Sequence, residues 1–138
     1  MVSNSRFVGL VAALMALGLF AGCGDDETEG PSGATAKVKI SSDIQLTADE
    51  DKSAFSKTEV SGKPGTVKIT ISVPDDAKGQ HGVGIQGGVY KQPVDGAPVK
   101  PGLSTSLTVD LKPGEYTIFD SYKKNRDKGY ETTLTVAK

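Results

Sequence analysis

The segment Leu107–Phe119 reads Leu-Thr-Val-Asp-Leu-Lys-Pro-Gly-Glu-Tyr-Thr-Ile-Phe. Apolar residues alternate with polar ones on both sides of a Lys-Pro-Gly triplet. Alternation with a period of two is typical of a strand with one buried face, and Pro-Gly is a strong turn signal. The segment therefore predicts two strands joined by a tight turn.

The same alternation recurs along the chain from Lys37 onward. Its clearest instance is Val67, Ile69, Ile71 and Val73, with Lys68, Thr70 and other polar residues between them. Further candidate strands lie at Val38–Leu46, His81–Gln86, Leu103–Leu111, Glu115–Asp120 and Thr132–Val136. Because Gly- and Pro-rich turns separate these runs, the sequence predicts an all-β fold, either a β-sandwich or a Greek-key barrel.

The N-terminal residues have the pattern of a secretory signal. Arg6 precedes an apolar run, Val8–Phe20, which ends in Ala21-Gly22-Cys23. The small residues before the cysteine resemble the lipobox of bacterial lipoproteins. That resemblance implies that residues 1–22 are a signal peptide and that Cys23 carries a lipid, which places the chain on the extracytoplasmic side of a membrane, in the periplasm or at the cell surface. The alternative is an ordinary signal peptide with an incidental cysteine.

Two regions follow the predicted signal peptide. Residues 23–36 contain Cys23, four acidic residues and no large apolar side chain after the cysteine, so they are predicted to form a flexible tether. Residues 37–138 are long enough for one domain with one core. The whole chain carries 16 basic and 17 acidic side chains, and this balance argues against nucleic acid as a partner.

A glycine motif, Gly82–Gly87, matches G-x-G-x-x-G letter for letter. A nucleotide site of this kind requires a strand before the motif and a helix N-terminus after it. A loop precedes the motif here and Pro93 follows it, so no nucleotide is expected, and the glycines are predicted to mark a bulge or a close backbone approach. The chain has one histidine and no catalytic triad pattern, which predicts a protein that is not an enzyme.

Residues Gly65–Val136 resemble cupredoxins, in particular the plastocyanin-like domains of bacterial lipoproteins. Gly65–Thr70 fits the first strand of that pattern, His81 stands at the first copper-ligand position, and Leu107–Phe119 fits the strand–turn–strand unit that leads to the ligand loop. The resemblance implies a cupredoxin-like Greek-key β-sandwich.

The ligand loop of that family has the pattern C-x4-H-x4-M. Here Asp120, Asn125 and Tyr130 occupy those three positions with the same spacing. A type 1 copper site needs a thiolate and two imidazoles, so the resemblance implies a degenerate copper site and no intense thiolate-to-copper absorption.

Two interpretations of His81, Asp120, Asn125 and Tyr130 remain open. In one, nitrogen and oxygen ligands from His81, Asp120 and Tyr130 weakly hold copper or another ion such as Zn(II) or Fe(III). In the other, which the sequence favours, the side chains bond to each other, for example Asp120 to His81 or to loop amides.

The favoured interpretation predicts a membrane-anchored, non-enzymatic binding module with no cofactor, whose partners are the membrane, through the lipid, and an envelope protein. The alternative is a protein that handles metal or transfers electrons through His81 and Asp120. The basic loop Tyr122–Lys128 could meet an acidic partner or anionic headgroups, although a solvated loop with no partner is the simpler expectation.

Overall fold

The structure is a computed structural model that describes residues 38–138. The predicted signal peptide (1–22), the lipid attachment at Cys23 and the tether (23–36) lie outside the described residues. Within the described part, no helix is long and apolar enough to cross a bilayer.

Nine strands and one helical turn make up the described region. The elements are β1 (Ser42–Asp49), β2 (Ala54–Phe55), β3 (Glu59–Gly62), β4 (Gly65–Ser72), β5 (Gly84–Gly87), β6 (Tyr90–Asp95), β7 (Ser104–Leu111), β8 (Gly114–Phe119), α1 (Asn125–Lys128) and β9 (Glu131–Val136).

The strands form two sheets. The first has the order β2-β1-β4-β7 and the second the order β3-β9-β8-β5-β6. The β1–β4 and β3–β9 pairs are parallel, and the other pairs are antiparallel. The all-β fold predicted from the alternating pattern is confirmed, and of the two architectures left open the structure has the two-sheet one.

Alternate residues of the strands from both sheets fill one core. In β4, Val67, Ile69 and Ile71 are fully buried, whereas the residues between them are partly exposed. Ile118 and Leu134 contribute in the same way from the second sheet. Burying a side chain of this size stabilises a fold by about 1.5–3 kcal/mol, so these layers account for much of the stability of a domain without a disulfide.

The turn in Leu107–Phe119 is closed by a side chain from the strand that follows it. Tyr116 is buried, and its hydroxyl donates to the Lys112 carbonyl at 2.9 Å and accepts from the Lys112 amide at 3.2 Å. Tyr116 therefore packs in the core and also stabilises the Lys-Pro-Gly turn.

Two predicted strands begin later than expected. Val38 and Ile40 are exposed and precede β1, which starts at Ser42. His81 forms an isolated bridge with Val99, and β5 starts only at Gly84. The reason for the second difference is local: the Gly82 amide donates to the Asp120 carboxylate and not to a neighbouring strand.

Four elements, β2, β3, β6 and α1, are not among the strands that the alternating pattern predicts. β2 and β3 have two and four residues, too few for a clear alternation. Pro93 reads as a strand breaker, but β6 lies at the edge of its sheet, where proline is tolerated. The helix α1 spans four residues, too few to show a helical period.

The glycine motif behaves as the sequence predicts. The pairing of β5 with β6 shifts register between Ile85 and Gly87, which marks a bulge. A Cβ added to Gly84 would lie 2.5 Å from Cζ of Phe119, so the backbone there approaches a buried ring closely. The motif leads into β6 and not into a helix.

Candidate functional site

Four side chains singled out in the sequence come together at one end of the sandwich, where β1, β4 and β8 end and β9 begins. His81 and Asp120 are each 1 % exposed, Tyr130 is 3 % exposed and Asn125 is 8 % exposed. The spacing of the loop thus brings Asp120, Asn125 and Tyr130 to the histidine. We refer to these four residues together with Glu50 as the His81 network.

Asp120 is the acceptor at the centre of the network. Its Oδ1 accepts from the backbone amides of Gly82 at 2.7 Å and Tyr122 at 2.8 Å. Its Oδ2 lies 2.6 Å from His81 Nδ1 and accepts from Asn125 Nδ2 at 2.9 Å. Four neighbours therefore satisfy a carboxylate that water hardly reaches.

His81 lies between two carboxylates. Its Nδ1 faces Asp120, and its Nε2 lies 3.0 Å from Oε1 of Glu50, a residue that directly follows β1. Burial alone would lower the pKa of His81, but the hydrogen bonds and charges of Asp120 and Glu50 outweigh burial and raise that pKa above its ordinary value of 6.5. Each ring nitrogen thus faces a carboxylate oxygen, an arrangement that favours the protonated ring.

Asn125 and Tyr130 hold the site in place. Asn125 Nδ2 also donates to the Gln80 carbonyl at 3.0 Å, which ties α1 to the loop before His81. The Tyr130 ring packs edge-on against His81, with 5.0 Å between the ring centroids, and contacts Phe55 on another side. Burial, together with the charges of Glu50 and Asp120, raises the pKa of the Tyr130 phenol, so the phenol stays protonated.

These residues do not fit a type 1 copper ion. Such an ion takes a thiolate and two imidazoles, and the network offers one imidazole, whose two nitrogens already face carboxylates. The carboxylates of Asp120 and Glu50 lie at opposite nitrogens of the ring. The two carboxylates and the ring therefore cannot all bind the same ion. Across residues 38–138, no group of three or more His, Cys, Asp or Glu side chains is arranged to hold a metal.

A pocket of about 160 Å³ opens beside the histidine. Its lining includes Glu50, Lys78, His81, Asn125, Lys128 and Tyr130. We call it the His81 pocket. It lies between the buried His81 ring and the exposed lysines of its rim.

The four basic side chains of the loop Tyr122–Lys128 fall into two groups. Arg126 is engaged, because its guanidinium lies 4.4 Å from the Phe119 ring centroid and bonds to Glu131 and Gln86. Lys123, Lys124 and Lys128 are exposed. The loop thus uses its arginine for structure and presents its lysines to solvent.

Sequence reasoning missed two residues of the site, Glu50 and Lys78. Glu50 belongs to an acidic run, Asp49-Glu50-Asp51, that reads as a solvated turn, and Lys78 lies in a loop between Pro74 and Gln80. No spacing rule connects either residue to His81. Only the pairing of β1 with β4 brings Glu50 to the histidine.

The raised pKa of His81 predicts a pH-dependent stability. A group whose pKa is higher in the folded state contributes stability below its unfolded pKa and loses that contribution as pH rises through the folded pKa. The free energy of unfolding should therefore fall as pH rises above 6.5. Urea denaturation at a series of pH values measures this slope. The variant His81→Gln should be less stable at low pH and lack the slope, and an unchanged slope in that variant would contradict the assignment.

Comparison with known proteins shows the fold. No protein-family model matches the chain, and no curated protein matches it. Among solved structures, auracyanin B superposes with a TM-score of 0.62 at 20% identity, covering 72% of this chain and 91% of that one.

Two further structures agree with this similarity. Auracyanin from the photosynthetic bacterium Roseiflexus castenholzii has a TM-score of 0.56 at 23% identity, covering 72% of this chain and 100% of its own. Auracyanin A, described as a "blue" copper protein from Chloroflexus aurantiacus, has a TM-score of 0.53 at 18% identity, covering 68% and 97%. These neighbours are cupredoxins, so the predicted cupredoxin-like fold is confirmed.

Proposed function

We propose that the chain is a cupredoxin-like lipoprotein, anchored through Cys23 on the extracytoplasmic side of a membrane, that works as a non-enzymatic binding module. One observation carries the functional part: His81 is held between Asp120 and Glu50, with 2.6 Å and 3.0 Å between the bonded atoms. A side chain fixed in this way is built into the fold and is not presented to an ion.

The cost of metal binding supports this proposal. An ion that bound Nδ1 would have to break the bond to Asp120, and an ion that bound Nε2 would have to displace Glu50. On the fully buried Asp120 side, removing one partner from a charge pair costs about 3–5 kcal/mol, and the ion would have to supply that free energy before any net affinity remained. The two backbone amides on Asp120 Oδ1 would oppose any rotation of that carboxylate.

A second candidate function is metal handling at His81 and Asp120. The short distance between Nδ1 and Oδ2 favours it, because an imidazole and a carboxylate side by side could both contact an ion that replaced the proton between them. This function requires an imidazole without its proton, which the raised pKa of His81 opposes.

A copper titration separates the two functions. The full chain carrying Cys23→Ser, which removes the one thiol, is titrated with Cu(II) and followed by calorimetry and EPR. We expect no saturable binding that depends on His81, since both ring nitrogens are engaged, and no intense thiolate-to-copper absorption. Weak binding that is identical in His81→Gln would come from surface carboxylates. Tight, stoichiometric binding that His81→Gln abolishes would establish the metal-handling function instead.

The anchor has its own test. Replacing Cys23 with Ser should move the chain from the membrane fraction to the soluble fraction of expressing cells, because the thioether that carries the lipid cannot form. Fractionation and intact-mass measurement record the change. Ser5→Ala, which alters a hydroxyl residue ahead of the apolar run, is the control and should stay in the membrane fraction. An unmodified mass for the wild-type cysteine would show that the lipid is not attached.

A further inference from the structure

More cationic than anionic groups line the His81 pocket. Lys78 and Lys128 flank it together with the His81 ring, and among the lining residues Glu50 is the one carboxylate. We infer that this pocket binds a carboxylate group carried by an acidic segment of a partner protein. The inference rests on the proposed binding role and adds the chemical class of the ligand.

The two lysines have charge available for a ligand. Within residues 38–138, Lys128 Nζ has a neutral partner, the Asn125 amide oxygen at 3.4 Å, and Lys78 forms neither a hydrogen bond nor an ion pair. Both side chains are exposed and border the same small opening. An anion that entered would meet two ammonium groups without having to break an existing ion pair of either lysine.

The ring nitrogen at the base of the pocket already accommodates a carboxylate. Glu50 Oε1 lies 3.0 Å from His81 Nε2, and the Glu50 side chain is 32 % exposed. An incoming carboxylate can therefore replace Glu50 while the bonds of Asp120 on the far side of the ring stay in place. The released Glu50 side chain would move into solvent. The incoming carboxylate would form charge-assisted hydrogen bonds with His81 Nε2 and with the ammonium groups of Lys78 and Lys128.

The size and position of the pocket favour a protein side chain as the source of the carboxylate. About 160 Å³ admits a carboxylate group with a few waters. The pocket lies where β1 ends, whereas the described chain enters at the opposite end, where Ser41 bonds to Thr66. Eight residues of β1 span about 26 Å. The pocket therefore lies at the end of the domain away from the point where the described chain enters it.

The test uses the chain's single histidine as its probe. Because one imidazole gives one set of ring-proton NMR signals, a shift reports events at the pocket directly. The full chain in detergent is titrated with a hexaglutamate peptide, with sodium acetate and with inorganic phosphate. We expect a saturable shift with hexaglutamate and a smaller, weaker response to acetate.

Variants assign the binding to the pocket. The double variant Lys78→Met/Lys128→Met should weaken hexaglutamate binding about tenfold, which corresponds to about 1.4 kcal/mol, because it removes both ammonium groups that border the opening. Glu50→Gln removes the competing charge and should tighten binding several-fold. Lys63→Met/Lys112→Met makes the same charge change with exposed lysines at the opposite end of the domain and should leave the affinity unchanged.

Three results would overturn the inference. They are the absence of a saturable histidine shift with hexaglutamate, equal weakening by the two double variants, and acetate or phosphate binding as tight as hexaglutamate. If these occur while the copper titration also shows no His81-dependent binding, the binding-module role stands and only its ligand is wrong. Tight, His81-dependent copper binding would instead remove the proposed function itself.

Discussion

Replacing Asp120 with Ala should lower the free energy of unfolding by about 3–5 kcal/mol, as expected for loss of one partner from a buried charge pair. The carboxylate has four hydrogen-bonding neighbours: the amides of Gly82 and Tyr122, the side-chain amide of Asn125 and the His81 ring. Without it, these groups face a site with no protein acceptor, and the His81 ring keeps only Glu50 as a charged neighbour. Folded globular proteins are stable by about 5–15 kcal/mol in total, so the expected loss is a large part of that margin.

Asp120→Asn should lose about half as much as Asp120→Ala, since hydrogen bonds contribute about 0.5–1.5 kcal/mol each and the amide keeps one oxygen. The asparagine NH2 group cannot accept, so two of the four neighbours lose their acceptor. Urea or guanidinium unfolding at neutral pH measures both variants. Asp43→Ala removes an exposed carboxylate that accepts from Gln45 and should change stability by no more than about 0.5 kcal/mol. If Asp120→Ala were as harmless as this control, the His81 network would not be a stabilising element.

Replacing Ile69 with Ala should cost about 2–5 kcal/mol, the range for truncating a buried aliphatic side chain. Ile69 is fully buried in the middle of β4, directly opposite Ile44 of β1 and Leu107 of β7. Strands hold all three positions, so the neighbours cannot easily move to fill the space. The free energy lost is the transfer of the removed methyl groups from water plus the cost of the cavity.

A graded series at the same position tests this explanation. Ile69→Val removes one methylene and should cost about 0.5–1.5 kcal/mol. Val38→Ala truncates an apolar side chain that is 62% exposed and should change the unfolding free energy by less than about 0.5 kcal/mol. Equal losses for Ile69→Ala and Val38→Ala would contradict the placement of the core.

Much of the fold could be predicted because long strands such as β4 and β7 have one buried face. The alternating apolar residues in Val67–Val73 and Leu107–Leu111 form that buried face, and both strands lie where the pattern predicts them. The prediction was less accurate where a strand lies at an edge or has an exposed start. Pro93 is acceptable in β6 only because one side of that strand is unpaired, and the sequence alone does not reveal which side of a strand is free.

The site could be predicted in part. The resemblance of Asp120-x4-Asn125-x4-Tyr130 to the copper-ligand loop of cupredoxins implied that these residues meet His81, and the structure brings them together. Glu50 could not be found in this way, because it reaches the histidine through the parallel pairing of β1 with β4, a contact between distant parts of the chain. Such pairings depend on the whole topology, so residues brought in by them carry no local signal.

The position of β9 inside its sheet has a consequence for how the molecule is made. β9 lies between β3 and β8, and its partner β3 is much earlier in the chain. During synthesis from the N-terminus, β3 emerges from the ribosome long before the strand that covers its edge. The second sheet can therefore close only after residues 131–136 are available, and a ribosome-stalled chain lacking β9 would expose two unpaired edges to proteases and to chaperones.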